Sequence, residues 1–482
     1  MNLPYPDLSE TEIKQEILPE VHQWALANGL VMYPVGFSSE QATIVPTTLY
    51  PTYLPRASFD KAVSLQKIYN KLYADISRNS CGGWLTQESI KLAKYDNEFT
   101  GKLWELYLKS MEQGIAQKLR LGIFRSDYLI DKRTNEAKQV EFNTISVSFG
   151  ASSTKVGELH DFLNKAGKYS ANSGDRFYQS EIPVSESTSL LARSLAIATE
   201  RYQGLSDRKV VAFIVQDNER NAFDQRTIEY ELLKSHSIKS IRITLGDLHN
   251  YTTLDCESKR LFVKKTGEEI AVVYFRAGYS PSEYKSERDW ENRLLLEISY
   301  AIKAPDILTH LSGTKKIQQL LTDEDILAKF IPDIDVRKQM LSTFVKIYPL
   351  DDSPLGQEGR KLAFQSPSKF VLKPQREGGG NNVYKQDIPL FLEKLDQKDW
   401  SAYILMELIE PNETTENVVV RGNSFFKEPI ISELGIFGCI LFDDTDVHLN
   451  EYSGWLLRSK FSRSNEGGVA AGFGCVDSVM LY

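Results

Sequence analysis

Long apolar runs are missing from this chain. Nowhere do about 18 consecutive apolar residues occur, so the sequence offers no membrane-spanning helix. Cysteine is scarce: Cys81, Cys256, Cys439 and Cys475 are the four among 482 residues, and none form a C-x-x-C pair. That is too few for a disulfide framework and fits reduced thiols. Positive charge is not in excess either, since 57 Lys and Arg face 65 Asp and Glu for a net charge of -8. A nucleic acid or an anionic membrane surface is therefore a poor partner. The six histidines, His22, His160, His236, His249, His310 and His448, are scattered without metal-ligand spacing and read as surface or core residues. No Ser-His-Asp or Cys-His arrangement suggests a covalent nucleophile, and there is no internal repeat or low-complexity tract. The N-terminal residues show no basic stretch ahead of an apolar one, so nothing marks the chain for secretion. What remains is an ordinary soluble composition, 25% charged and 41% hydrophobic, long enough for roughly three domains' worth of core. The expectation is a cytoplasmic enzyme.

The most informative stretch runs from Lys373 to Tyr384, Lys-Pro-Gln-Arg-Glu-Gly-Gly-Gly-Asn-Asn-Val-Tyr. Its lead-in, 369–373, alternates with period 2, placing Phe370 and Leu372 on one face and Val371 and Lys373 on the other. Gly378, Gly379 and Gly380 lack a Cβ, so their N–H groups can crowd around phosphate oxygens. Glu377 beside them suits Mg2+, a hard ion that takes carboxylate oxygen and keeps several waters. By itself a triple glycine is more often a linker than a nucleotide site, and neither Gly-Lys-Ser/Thr nor Gly-x-Gly-x-x-Gly is present. The loop needs partners elsewhere in the chain.

Two further segments qualify. Read as a strand, 139–143 places Glu141 and Asn143 on one face and Val140 and Phe142 on the other, so two oxygen donors point the same way; taken alone it reads as an edge strand with a polar outer face. Ser146 and Ser148 follow it as small donors. Near the C-terminus, Arg458 and Lys460 at i and i+2 aim two cations in one direction, ahead of the small-residue loop 466–472. Between them, 402–411 is an apolar strand of a kind that often hosts a purine along its backbone edge, though by periodicity alone it is a core strand. The two glycine-rich loops, 377–382 and 466–472, are expected to close over ligands.

Local signals add detail. Ser9-Glu-Thr-Glu12 is a capping box opening a helix with Ile13, Ile17, Val21 and Trp24 on one face, kinked or split at Pro19 and closed at Asn28-Gly29. Residues 209–279 alternate strand (209–215), helix (225–235), strand (240–244) and a hairpin turning at 265–267, a compact α/β unit. Segment 352–368, rich in Asp, Ser, Pro, Gly and Gln, reads as a loop.

Taken together, these segments resemble the ATP-grasp ligases and, more closely, the eukaryotic-type glutathione synthetase family. The likeness runs through Leu121-Gly-Ile-Phe-Arg-Ser-Asp-Tyr128, Glu141-Phe-Asn-Thr-Ile-Ser146, Glu219-Arg-Asn-Ala-Phe-Asp-Gln225, Val273-Tyr-Phe-Arg-Ala-Gly-Tyr279, Gly313-Thr-Lys-Lys316, the Lys373 loop, 406–409, Ser432-Glu-Leu-Gly-Ile-Phe-Gly438 and Gly467-Gly-Val-Ala-Ala-Gly472. It implies an α/β (α+β) fold: an ATP-grasp core in residues 1–204 and 308–482, a lid at about 340–410, and an inserted α/β substrate-binding domain over 205–307.

The implied reaction joins γ-glutamylcysteine to glycine. ATP phosphorylates the cysteinyl carboxylate, and the glycine amine attacks the acyl phosphate. A pair of Mg2+ ions would be held by Glu141, Asn143 and Glu377. ATP would meet Glu141, Lys315, Lys373, Glu377, Gly378, Gly379, Gly380, Asn381, Asn382, Tyr384, Met406, Glu407, Leu408, Ile409, Glu433, Lys460 and Glu466. The dipeptide would meet Arg125, Ser146, Val147, Ser148, Glu219, Arg220, Asn221, Gln225, Arg276, Ala277, Gly278, Tyr279, Arg458, Val469 and Ala470. Lys315, Lys373 and Arg458 are the implied catalytic cations, stabilising charge on phosphoryl oxygens and the tetrahedral carbon. Ala277 and Leu408 depart from the family pattern at places where the backbone makes the contact. The family also implies a homodimer. Two alternatives stay open: a relative that prefers another amine such as β-alanine, one methylene away and worth about 1–3 kcal/mol in a pocket, or a non-catalytic ATP-binding protein, which the completeness of the site disfavours.

Overall fold

The computed structural model describes residues 3–170, 174–205, 207–375, 381–465, 467–469, 472 and 474–482, and of residues 80 and 81 the backbone only. The first helical stretch begins as its sequence dictates. Ser9 Oγ accepts from the Glu12 N–H and the Glu12 carboxylate accepts from the Ser9 N–H, closing the capping box. The stretch is divided into Glu10–Glu12, a π-helical Ile13–Ile17 and Leu18–Asn28, with Pro19 near the start of the last and Gly29 ending it at φ 76°. Ile13, Ile17 and Val21 are buried and Trp24 is half-buried, as the spacing predicts.

Among the described residues most strands belong to one 14-stranded mixed sheet. Its axis is Arg120–Ile130, which pairs antiparallel along nearly its whole length with Ile430–Phe442. Its other edge pairs with Ala137–Asn143 over residues 125–130 and meets Ile302–Ala304 in parallel at Arg120. From there the sheet runs on in parallel through Glu269–Phe275, Lys209–Val215 and Lys239–Thr244. On the far side, Ile430–Phe442 pairs with Val447–Phe461. Both faces are covered, so successive residues of the central strands enter two different cores. Phe124, Tyr128, Leu434 and Ile440 enter one, Leu121, Ile123, Phe437 and Leu441 the other.

A separate four-stranded antiparallel sheet holds Ile347–Pro349, Tyr403–Glu407, Phe370–Pro374 and Val383–Tyr384, in that order. The alternation expected at 369–373 holds here. Phe370 and Leu372 pack into one apolar cluster and Val371 into another on the opposite face.

Segment 352–368 is not the loop its composition suggests. Pro354–Gln365 is a helix, capped by Ser353 Oγ accepting from the Gly356 N–H and carrying its proline at the first turn. A Cβ on Gly356 would lie 2.2 Å from the Asp351 carbonyl and one on Gly359 2.7 Å from that of Pro349. The residues read as breakers are a cap, a helix-starting proline and two close-packing glycines.

His160 is fully buried, its Nε2 2.9 Å from the Thr48 carbonyl and its Nδ1 2.7 Å from Ser478 Oγ. Burial pushes it down to about 4, opposed by the Thr48 hydrogen bond. The unfolded chain takes up that proton near its ordinary value while the folded chain resists. Stability should therefore fall as pH drops from about 6.5 to about 4, by about 1.4 kcal/mol per pH unit. His160→Gln should be less stable at neutral pH yet flatter across this window. Urea unfolding over a pH series checks it, and an unchanged slope would refute it.

Candidate active site

The site grows from an irregularity in the hairpin formed by Arg120–Ile130 and Ala137–Asn143. Asp127 is paired with Glu141 and Tyr128 with Gln139, which leaves Val140 as an extra, bulged residue. Its freed carbonyl accepts from Lys373 Nζ at 2.9 Å and from Gln318 Nε2 at 3.3 Å. The bulge also corrects the expected alternation. Val140 and Phe142 do not share an environment: Val140 packs with Met406 and Ile409, whereas Phe142 stacks on Tyr73 in the main core.

Glu141 and Asn143 do fall together, beside a carboxylate that organises the surrounding cations. Asp127 is fully buried and accepts from Arg125 through both oxygens, at 2.6 and 2.7 Å. It also accepts from Asn143 Nδ2 at 3.0 Å and from Arg458 Nη2 at 3.2 Å. Arg458 reaches Glu433 on the neighbouring strand as well. Burial raises the Asp127 carboxyl against the pull of Arg125 and Arg458. For Arg458, burial lowers and Glu433 and Asp127 raise, and the net direction is upward. With its amide nitrogen committed to Asp127, Asn143 keeps its oxygen for another partner.

Next to this group Lys315 Nζ lies 2.7 Å from Glu141 Oε2. Burial opposes ionisation of Glu141, yet Lys315, Lys373 and Arg458 together hold it well below the usual carboxylate range. Lys315 opens the helix Lys315–Leu321, and Gly313 just before it lets that helix approach the site. A Cβ there would lie 2.3 Å from Thr144 Oγ1.

A second cluster sits at the C-terminal ends of the parallel strands, where α/β sheets collect their ligands. Arg276 donates to the Val147 carbonyl and to Ser148 Oγ, the latter at 3.0 Å. Ser146 Oγ donates to the Phe275 carbonyl at 3.2 Å, and Arg125 Nη1 reaches the Ser148 carbonyl at 3.4 Å, joining the two clusters. Glu219 accepts from the Asn221 N–H and from Gln225 Nε2. Tyr279 meets Gln216, and Gly278 takes φ 90° in the turn after buried Ala277. Arg276 Nε and Asn221 Oδ1 are buried without a partner among the described residues.

Met406 and Tyr384 of the small sheet, with Leu408 and Ile409 just past its Tyr403–Glu407 strand, form an apolar cluster with Leu129 and Val140 of the large one. Glu407 is opposite Phe370 in that sheet, and Asn382 Nδ2 lies 3.4 Å from Tyr384 Oη, with exposed Asn381 beside it. Three further expected residues have these contacts, Val469 lying in the core that also holds Val147. Arg220 faces the Tyr33 carbonyl, Lys460 donates to the Asn465 carbonyl, and Val469 is buried in the large core. Glu377, Gly378, Gly379, Gly380, Glu466 and Ala470 lie outside the described residues.

Residues 11–481 match the family model for the eukaryotic glutathione synthase ATP-binding domain. The chain belongs to the eukaryotic glutathione synthase family. It is 40% identical to the glutathione synthetase large chain of Schizosaccharomyces pombe over 97% of each chain. It is 38% identical to the human glutathione synthetase over 98% of each. A chloroplastic glutathione synthetase of Arabidopsis thaliana is 37% identical over 98% of this chain and 86% of its own. The solved structure of a glutathione synthetase-like effector from Globodera pallida, in its apo form, superposes over the whole of both chains with a TM-score of 0.76 at 23% identity, which speaks for the fold.

Within the synthase family's segments the structure adds two residues that sequence reasoning passes over. Asp127 is one. The other is Asp224, whose carboxylate accepts from the Phe149 and Ser152 N–H groups and sits 4.0 Å from Arg276. Asp127 stands at i+2 from Arg125 on one strand and Asp224 one residue before Gln225, so the strand period was available as a signal for the first. Among the described residues no three His, Cys, Asp or Glu side chains converge as a metal cluster.

Gly313→Ala should push Lys315 away from Glu141, destabilising the fold by about 1–3 kcal/mol and weakening ATP use. Thr144→Ala in the same chain should restore part of both. Unfolding curves and ATP titrations provide the check, and an undisturbed Gly313→Ala enzyme would contradict the close approach.

Proposed function

We propose that the protein ligates γ-glutamylcysteine to glycine with ATP, through an acyl phosphate, giving glutathione, ADP and phosphate, the last step of glutathione synthesis. The observation that carries this reading is the convergence of Arg125, Lys315, Lys373 and Arg458 around Glu141 and Asn143. Four cations against the three carboxylates Asp127, Glu141 and Glu433 leave a site that suits a polyanionic triphosphate and a carboxylate better than a neutral ligand.

Each group then has a task. Lys315 and Lys373 neutralise phosphate oxygens. The apolar cluster of Met406, Ile409, Tyr384 and Val140 takes the adenine, and the 340–410 segment acts as the lid over it. Arg276 Nε and Asn221 Oδ1, a buried donor and a buried acceptor with places to fill, suit the carboxylate and ammonium ends of the γ-glutamyl group. Arg458 lies between these regions, where charge builds during acyl transfer, and no covalent protein nucleophile is required.

The oxygen donors fit Mg2+, which takes carboxylate and amide oxygens and fills its shell with phosphate and water. Glu141 and Asn143, with Glu377, would hold it. When bound it supplies charge neutralisation between the phosphates. A cytoplasmic homodimer completes the reading. The described cysteines, Cys256, Cys439 and Cys475, are free. Among the described residues no helix is long and apolar enough to cross a membrane.

The direct test is ADP release coupled to γ-glutamylcysteine, with and without glycine. Release that requires both supports the reading; equal rates with β-alanine would shift the amine, and no release would remove the activity. Glu141→Gln should raise the Mg2+ requirement by at least about 10-fold, the lower bound seen even for outer-shell partners. Arg125→Ala should instead raise the dipeptide KM by about 30-fold, about 2 kcal/mol. Separate titrations of Mg2+ and dipeptide would expose a wrong division.

A further inference from the structure

Asp127 joins both arginines of the site and Asn143 and is itself buried out of reach of any ligand. Its side chain is 0% exposed, yet it accepts four hydrogen bonds: two from Arg125, one from Asn143 and one from Arg458. Those donors come from different parts of the chain, Arg125 on its own strand, Asn143 across the hairpin and Arg458 some 331 residues away. The surroundings are shaped to keep this carboxylate. Gly435 is opposite Asp127 on the neighbouring strand, and a Cβ there would lie 2.8 Å from Arg125 Cδ and 2.9 Å from Asp127 Oδ1. The glycine leaves the room in which the Arg125 fork lies flat against the carboxylate.

A buried anion holding two arginines constrains them differently from a ligand. A guanidinium has five N–H donors in a fixed plane, so a bidentate carboxylate fixes that plane and leaves the remaining donors pointing elsewhere. The Arg125 Nε and Nη2 edge is taken by Asp127, and Nη1 turns toward the Ser146–Ser148 segment. Arg458 spends Nη2 on Asp127 and Glu433. Because the same carboxylate takes the Asn143 amide nitrogen, the side of Asn143 that carries its oxygen is fixed in the same act.

We infer that Asp127 is the positioning residue of the site, a buried carboxylate that sets the orientation of Arg125, Arg458 and Asn143 together before any substrate arrives. This rests on the site reading given above. It differs from a general stabilising role because its effect passes through particular partners, and removing those partners should therefore remove the effect.

The experiment is steady-state kinetics on the full chain carrying Asp127→Asn, with Arg125→Ala, Arg458→Ala and the two double variants. Asp127→Asn keeps the shape but cannot accept from two arginines at both ends of its side chain. Its kcat/KM for γ-glutamylcysteine should fall by about 100-fold, the loss expected for a reacting group displaced by about 1 Å. The KM for ATP at saturating Mg2+ should stay within about threefold of the parent, because the adenine cluster and Lys373 do not touch Asp127, whereas the Mg2+ requirement should rise because Asn143 loses its carboxylate partner. In both double variants the loss should be well short of the product of the two single losses. A kcat/KM within about threefold of the parent for Asp127→Asn, or losses that multiply in both cycles, would overturn the inference, since neither follows if the residue acts through these arginines. Should Asp127→Asn fail to fold, Gly435→Ala, which crowds the same pair from the neighbouring strand, carries the same expectation of a dipeptide-specific loss. An equal loss toward ATP and dipeptide in that variant would also overturn it. Failure of the site reading looks different: Arg125→Ala itself would then leave the dipeptide KM unmoved, whatever Asp127→Asn does.

Discussion

Antiparallel pairing between Arg120–Ile130 and Ile430–Phe442 is the constraint on which the rest depends. It joins segments about three hundred residues apart, and it fixes which residues of each lie side by side. Register in a sheet moves in steps of one residue, and one step reverses the face of every side chain. With Gly435 opposite Asp127, the carboxylate and the Arg125 stem reaching it lie over a glycine, while the guanidinium passes over the ring of Phe437, which is opposite Arg125. The hairpin to Ala137–Asn143 then adds Glu141 and Asn143 at the same level, and the pairing of Ile430–Phe442 with Val447–Phe461 adds Arg458 opposite Glu433.

Charge in this arrangement is concentrated where solvent is excluded, which is costly unless every ion is paired. Removing one partner from such a buried pair typically costs about 3–5 kcal/mol because the other is left uncompensated. Here Arg125 and Asp127 compensate each other, Lys315 compensates Glu141, and Arg458 is shared between Asp127 and Glu433. Arg125, Lys315 and Arg458 thus each have a carboxylate partner within the chain, and with Lys373 the four cations outnumber the three carboxylates among the described residues, which favours an anionic ligand. A preorganised set of this kind spends its ordering cost during folding rather than during the reaction.

The two sheets divide the labour. The large sheet carries Arg125, Asp127, Glu141, Glu433 and Arg458 on doubly covered strands, helix Lys315–Leu321 adds Lys315, and the small sheet brings Lys373, Met406 and Tyr384 to Val140. The Val140 bulge is the junction, since its side chain joins the apolar cluster while its carbonyl holds Lys373. One extra residue in one strand therefore couples a polar region to an apolar one.

Local order was legible in the sequence because its causes are local. The Ser9–Glu12 capping box, the closing Gly29, the Phe370 and Leu372 face and the strands read at 209–215 and 240–244 all follow from propensity, capping and period. The residue types of the site were legible too, as carboxylates, amides and cations clustered in motifs, and the likeness to a ligase family gave them roles. Helix Pro354–Gln365 was not, because its glycines answer to the backbone of 349–351, which a composition count does not see. Nor was the separation of Val140 from Phe142, since a bulge belongs to a pair of strands and not to either one. The sequence by itself determined which groups are available and how each short segment folds. Only the tertiary structure decided that Arg125, Asn143 and Arg458 meet on one buried carboxylate, because that meeting depends on register between strands distant in the chain, and pairing at long range leaves no local mark.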